Sequence, residues 1–130
     1  MTTLPVSVAA TAGAALQVVD YRSAYVTTTP AGADGTMTAT FPYVPAGYIW
    51  LVQRITVLCT SSTSTRAMVY AGSPAAQNFL DGTDRGNIDT ADESSPILLE
   101  SSLSLIVVWT GASVGAVGTA RIQYQLVTRG

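Results

Sequence analysis

The chain has 130 residues, of which 48% are hydrophobic and 11% are charged, and it contains no histidine. Because soluble domains carry about 25% charged residues, this surface is unusually neutral, which suits a subunit covered by neighbours better than a free monomer. The net charge is −2 and the six arginines are scattered, so the sequence has no basic run to bind nucleic acid or a membrane surface. The length suits one domain with one core.

The N-terminal segment is apolar but interrupted by threonine, proline and serine, and no basic residue comes before position 22. It therefore lacks the pattern of a signal peptide, and no apolar run is long enough to span a membrane. We expect a protein that is made in a cytoplasm and not exported by this route. Residues 1–12 are predicted to form an extended arm that contacts a neighbouring subunit through Leu4, Pro5, Val6 and Val8.

Short β-segments separated by polar turns follow along the rest of the chain. The predicted strands are 18–25, 36–41, 49–60, 66–72, 77–80, 97–100, 103–110 and 119–127. No segment has a capped run of apolar residues at helical spacing. The sequence predicts an all-β fold over residues 13–130. It is a single antiparallel β-sandwich of about eight strands, with the jelly roll as the favoured arrangement.

Two of these strands have informative side-chain patterns. In 119–127, alternation places Ala120, Ile122, Tyr124 and Leu126 on one face. In 49–60 both alternating sets are largely apolar, one running from Ile49 to Cys59 and the other from Trp50 to Leu58. The second pattern predicts a central strand that is covered on both faces.

The segment 79–96 holds most of the acidic residues. Its carboxylates Asp81, Asp84, Asp89 and Asp92, with the amide of Asn87, could supply oxygen ligands to calcium. Their spacing does not follow the calcium-loop pattern of the EF-hand. The favoured interpretation is therefore a long solvated connection whose Asp and Asn side chains cap turns.

Arg85 lies inside this acidic segment. We expect it to pair with a neighbouring acid or with one across a subunit boundary.

Catalytic candidates are few. Without histidine, serine and cysteine nucleophiles lack their usual base. A pair of acids could cleave a glycan only from a pocket that raises the pKa of one of them. We predict that the chain is not an enzyme and needs no cofactor, with calcium as the one alternative.

Aromatic residues offer a second kind of surface. Tyr43, Tyr48 and Trp50 lie close together in the sequence, and Trp109 ends its strand. They could form a glycan-binding face, although aromatics at strand ends more often serve as core or interface anchors.

Three stretches, VPAGYIWLVQRITV, GTDRGNIDTADESSPILL and LIVVWTGASVGAVGTARIQYQLV, lie in the last two-thirds of the chain. They resemble the jelly-roll or β-sandwich modules of small structural proteins in tailed-bacteriophage virions. The resemblance implies a capsid decoration subunit on the particle exterior, forming a homo-oligomer, expected to be a trimer. It would bind the major capsid protein or another virion protein. The alternative use of such modules is receptor or glycan binding in a tail or fibre.

Overall fold

A computed structural model of the chain describes residues 16–129. The eight strands are β1 Leu16–Thr27, β2 Met37–Thr40, β3 Tyr48–Cys59, β4 Arg66–Ala71, β5 Phe79–Thr83, β6 Ile88–Leu99, β7 Leu105–Thr110 and β8 Gly118–Arg129. Strands β1, β8, β3 and β6 form one sheet in that order, the long-strand sheet. Strands β2, β7, β4 and β5 form the other, the short-strand sheet.

The strand order identifies the architecture. Every pairing between neighbouring strands is antiparallel. Two packed four-stranded sheets with the orders β1-β8-β3-β6 and β2-β7-β4-β5 form an eight-stranded jelly roll of two Greek keys. The predicted all-β sandwich is therefore confirmed, and the strand order is the jelly roll that the sequence favoured.

The core lies between the two sheets. On β8, Ala120 and Ile122 are fully buried, and Tyr124 and Leu126 are each 7% exposed, so the predicted inner face of this strand is confirmed. The short-strand sheet contributes a matching layer of buried residues from its strands, consisting of Met37, Ala39, Ala67, Val69, Leu105, Val107 and Trp109. Burial of these apolar side chains is the main favourable free-energy term in folding.

The predicted faces of β3 are wrong because the strand contains a β-bulge. Its pairing register with β8 shifts between Val52 and Arg54, so Gln53 is an extra residue. An extra residue reverses the alternation of all side chains that follow it. Trp50 and Val52 before the bulge therefore face the same core as Ile55 and Val57 after it.

The acidic segment is also not the long connection that we expected. It consists of β5, a turn of four residues at 84–87, and the first part of β6. The pairing of β6 with β3 is irregular between Ile97 and Asp92, where the residues from Glu93 to Pro96 depart from the ladder. Proline has no N–H to donate, and it is found in sheets at edges and bulges, as Pro96 is here.

Helical structure among residues 16–129 is limited to one 3-10 turn, Ala76–Asn78. Within that part of the chain, no helix has the length and apolar character needed to cross a bilayer. The predicted arm, residues 1–12, lies outside the described residues, and so do Leu4, Pro5, Val6 and Val8. The arm and its contacts stay predictions.

Candidate functional site

A small cleft opens along one side of the sandwich, between the edge strands β5 and β6 of the two sheets. Its volume is about 90 Å³. The floor is apolar and consists of Ile55, Val57, Ala67, Val69 and Ala91. The rim carries Asp81, Thr83 and Asp89. Two acidic groups of this segment, Asp81 and Asp89, therefore lie at the gap between the sheets.

One polar contact across this gap joins Thr83 of β5 to Asp89 of β6. The Thr83 hydroxyl donates a hydrogen bond to Oδ2 of Asp89, and the Thr90 backbone N–H donates to Oδ1 at 2.9 Å. These two hydrogen bonds, with a smaller effect from the charge of Arg85, hold the pKa of Asp89 below its ordinary value. Asp89 is therefore an ionised acceptor that links the two sheets.

A second contact across the gap joins Glu93 of β6 to Asp81 of β5. Burial raises the pKa of Glu93 from 4.5 to about 7, and the hydrogen bond with Asp81 and its negative charge act in the same direction. The Glu93–Asp81 pair therefore retains a proton to higher pH than an isolated glutamate would, and this proton can be shared in the contact.

The size of the cleft limits what this carboxyl pair can do. A volume of about 90 Å³ has room for several water molecules. Pockets that bind small molecules measure about 300–1,000 Å³. A cleft of this size suits a contact between two edge strands better than a small-molecule pocket.

Asn87 forms the most highly bonded polar side chain of the turn between β5 and β6. Its Oδ1 accepts hydrogen bonds from the Thr65 backbone N–H at 3.0 Å and from the Thr65 hydroxyl. Its Nδ2 donates to the backbone carbonyls of Ser61 at 3.1 Å and Thr63 at 3.0 Å. The Asn87 side chain therefore links this turn to the β3–β4 loop. Because its Oδ1 already accepts two hydrogen bonds, this oxygen is poorly suited to bind calcium.

Replacing Asn87 with aspartate is expected to lower the free energy of unfolding by about 2–4 kcal/mol, since a carboxylate cannot donate to the two carbonyls and would face them with its charge. Urea unfolding followed by circular dichroism at fixed protein concentration measures the change. Asn78→Asp, at the half-buried Asn of the 3-10 turn, is the control and should cost less. Equal costs for the two variants would contradict this role for Asn87.

The four calcium candidates are divided among different places. Asp84 pairs with Arg66, with a distance of 2.9 Å between Nε and Oδ1, and Asp92 pairs with Arg54. Asp81 and Asp89 lie at the cleft. No group of three or more acidic, cysteine or histidine side chains in the described part of the chain is placed to hold a metal ion. The structure therefore does not gather the predicted ligands into one site.

Arg85 is exposed in the turn that follows β5. Its backbone N–H donates to the Thr83 hydroxyl at 3.0 Å, and its carbonyl accepts from the Ile88 N–H at 3.2 Å. Its backbone is thus held in place, while its charge acts on nearby Asp89. A role for Arg85 at a subunit boundary stays a prediction.

The predicted aromatic face is divided by burial. Tyr43 is 71% exposed and Tyr48 36%, but Trp50 is only 7% exposed. The Trp50 ring stacks on Tyr124, with 4.3 Å between ring centroids. Trp109 is fully buried. Because Trp50 faces the core, only the two tyrosines of this group remain available at the surface, and both tryptophans belong to the core.

The Asp81–Glu93 contact was missed by sequence reasoning, although a signal for half of it exists. In the stretch IDTADE, residues Asp89, Ala91 and Glu93 alternate as the inward face of a strand should. Reading the segment as a strand would have placed two acids facing inward. The partner, Asp81, comes from the other sheet, and only the sandwich brings it close.

The chain matches no protein-family model and no curated protein. One similar solved structure is the virus-like particle of the extra small virus of the giant freshwater prawn Macrobrachium rosenbergii, with 9% identity and a TM-score of 0.36. It covers 95% of this chain and 89% of that chain. Another is dimeric latent PorU of Porphyromonas gingivalis, with 12% identity and a TM-score of 0.38, covering 92% of this chain but only 14% of that chain. Both likenesses are too distant to indicate what this chain does.

Proposed function

We propose that this chain is a non-enzymatic structural subunit of a virus particle, and more specifically a capsid decoration subunit that stabilises the head. The observation that carries the proposal is the wide distribution of exposed apolar side chains over the surface. A jelly roll with its own buried core needs no partner to fold. Exposed apolar groups on several of its sides indicate several neighbours.

The exposed apolar groups lie in four regions. On β1, Tyr21 is 70% and Tyr25 61% exposed. At the start of β6, on the opposite edge of the same sheet, Ile88 is 64% exposed. Tyr43 is 71% exposed in the β2–β3 loop at one end of the sandwich, and Val114 is 75% exposed in the β7–β8 loop at the other. A closed dimer would need one contact region, whereas a subunit within a shell can use all four.

The low charge of the chain supports the same conclusion. Only 11% of its residues are charged, and interfaces between subunits are depleted in charged residues at their centres. In the described residues, three arginines are already paired with aspartates in exposed ion pairs, each involving a carboxylate on the same chain. The decoration subunit would stabilise a shell by burying apolar surface across its neighbours, because opening the shell would then expose that surface to water.

The test is to locate the chain in particles produced from the genome that encodes it. A specific antibody should label the heads of purified particles, and particles lacking the chain should release their nucleic acid at a lower temperature. Adding the purified protein back should restore the release temperature. Labelling of the tail or a fibre would favour the receptor- or glycan-binding alternative. Absence of the chain from purified particles would overturn the proposal.

A further inference from the structure

Among residues 16–129, no strand pairs with the outer edge of β1, which is 12 residues long and has one irregularity in its pairing with β8, between Val18 and Asp20. It pairs with β8 on one side, and its large apolar side chains, Leu16, Val18, Val19, Tyr21 and Tyr25, are between 47% and 70% exposed. A long edge strand presents unpaired backbone N–H and C=O groups that can add another strand. Both the backbone and the side chains of β1 therefore suit a partner strand.

The other edge strands are protected against such pairing. Strand β6 contains the acidic residues Asp89, Asp92 and Glu93 and no basic residue, and its Pro96 has no backbone N–H to donate. Two copies of β6 would therefore bring like charges together. The edge strands of the short-strand sheet, β2 and β5, have only four and five residues. Among the described edges, β1 alone is long and has balanced charge.

The charges of β1 indicate which partner fits. Arg22 and Asp20 form an exposed ion pair along the strand, with 3.0 Å between Nε and Oδ2. If two copies of β1 pair antiparallel about a two-fold axis through Tyr21, each Asp20 lies opposite Arg22 of the second copy. The four charges then alternate in sign, because each has one opposite charge along its own strand and another across the axis.

Another register is less favourable for the same charges. A two-fold axis through Ser23 would set Asp20 opposite an apolar Val26 and bring the two copies of Arg22 to diagonal positions. Like charges at neighbouring cross-strand positions repel. The charge pattern thus selects Tyr21 as the axis, and places the two Tyr21 rings opposite each other on the outer face.

We propose that β1 is a two-fold interface with β1 of a second copy of this chain, centred on Tyr21. It joins two long-strand sheets into one continuous eight-stranded sheet. This proposal rests on the proposed function, because a subunit of a shell needs contacts with its neighbours. It adds which surface would form a contact between two copies. It commits to an even-numbered assembly, in place of the trimer that the sequence resemblance implies.

Light scattering on the full chain tests the interface. The unmodified protein should have the mass of a dimer or a multiple of it. Asp20→Arg and Arg22→Asp should each weaken the association at least tenfold, because each sets like charges opposite one another. The double variant D20R/R22D should restore the parent mass, since the opposite pairs are re-formed with exchanged signs.

A mixture of the two single variants gives the most specific test of the charge pairing. In equal amounts, the D20R and R22D proteins should form heterodimers. The D20R copy then brings two arginines to the axis and the R22D copy brings two aspartates, so both cross-strand pairs join opposite charges. Circular dichroism confirms that each variant is folded. Asp92→Arg, which breaks the exposed ion pair with Arg54 on the opposite side of the sheet, is the matched control and should leave the mass unchanged.

Cross-linking tests the register. In a background where Cys59 is replaced by serine, Tyr21→Cys should form a disulfide between copies under mild oxidation, because opposite Cα atoms in an antiparallel pair lie about 4.5–5.5 Å apart. Ser23→Cys should not, since its two copies would be displaced by four residues at about 3.3 Å each. Cross-linking through Ser23 alone would overturn the register.

The proposal as a whole is overturned if the parent protein is monomeric or a trimer, or if the charge variants keep the parent mass. A dimer with these properties that is absent from virus particles would uphold the interface and overturn the proposed function. A monomer that is bound to virus particles would uphold the proposed function and overturn the interface.

Discussion

Replacing Trp109 with alanine is expected to lower the free energy of unfolding by about 3–5 kcal/mol, the usual cost of deleting a buried indole. Trp109 is fully buried on β7, where it pairs with Met37 on one side and Ala67 on the other. Its Nε1–H donates a buried hydrogen bond to the Gly86 carbonyl at 2.9 Å. The substitution would thus leave a cavity in the core and an unsatisfied carbonyl in the β5–β6 turn.

Two further variants separate these contributions. Trp109→Phe keeps an aromatic ring but removes the donor to Gly86, and should cost about 1–3 kcal/mol. Gly118→Ala keeps Trp109 but places a Cβ 2.9 Å from the indole ring. Because the buried ring has no space to move, this crowding should also cost about 1–3 kcal/mol.

Urea unfolding followed by circular dichroism measures all three variants, at one protein concentration since association would shift the midpoint. Val114→Ala, at a position that is 75% exposed, is the control and should change stability by no more than about 0.5 kcal/mol. A Trp109→Ala cost below that of Val114→Ala would contradict the central role of this side chain.

The free energy of unfolding is expected to fall as the pH rises from 4.5 through about 7, owing to Glu93. The pKa of Glu93 is about 7 in the folded protein against an ordinary 4.5. Between these values the folded state holds a proton that the unfolded state releases, so stability present below pH 4.5 is lost as the pH rises. Since the carboxyl pair is only half-buried, we expect a loss of about 1–2 kcal/mol.

Glu93→Gln tests this expectation. The neutral amide can still donate to Asp81, so the variant should show little pH dependence in this range and should exceed the parent in stability at pH 8. Ser94→Ala, at the exposed position next to Glu93, changes no titratable group, so it is the control and should keep the parent slope. If the slope of Glu93→Gln equals that of the parent, the carboxyl contact is not its source.

Other acids act outside this pH range. Hydrogen bonds from Arg22 and Tyr21 lower the pKa of Asp20, and those from Thr83 and Thr90 lower the pKa of Asp89. The stabilisation that these two carboxylates give the folded state is present above the ordinary pKa of 3.8 and is lost as the pH falls below it. Acid titration below pH 4 should therefore destabilise both Glu93→Gln and the parent protein.

Strands with regular alternation were predictable from sequence. TMTATF and TARIQYQLV alternate polar with apolar residues, and in the structure Met37, Ala39, Ala120 and Ile122 face the core. A side chain in a regular strand has only two possible directions, so the apolar set identifies the inner face without knowledge of the partner strands.

Strands with irregular pairing were not predictable in the same way. The apolar residues of β3 occupy both alternating sets, so sequence does not show that Gln53 is an extra residue. A bulge is decided by how one strand meets its neighbours. The acidic residues of β6 are typical of a loop, so its sequence did not indicate a strand. Asp89 and Glu93 point into the gap between the sheets, where they contact Thr83 and Asp81 of the other sheet.

The sequence by itself determined that this chain folds as an all-β sandwich and that few of its residues are charged, because strand alternation and charge content are local properties that need no partner. Only the tertiary structure decided which residues meet across the sandwich. The pKa of Glu93 is raised because the sandwich buries it and brings Asp81 of β5 to it. Asn87 links two segments because the β3–β4 loop supplies its hydrogen-bond partners. Such contacts join residues distant in the chain, and they exist only after both sheets have closed on a common core.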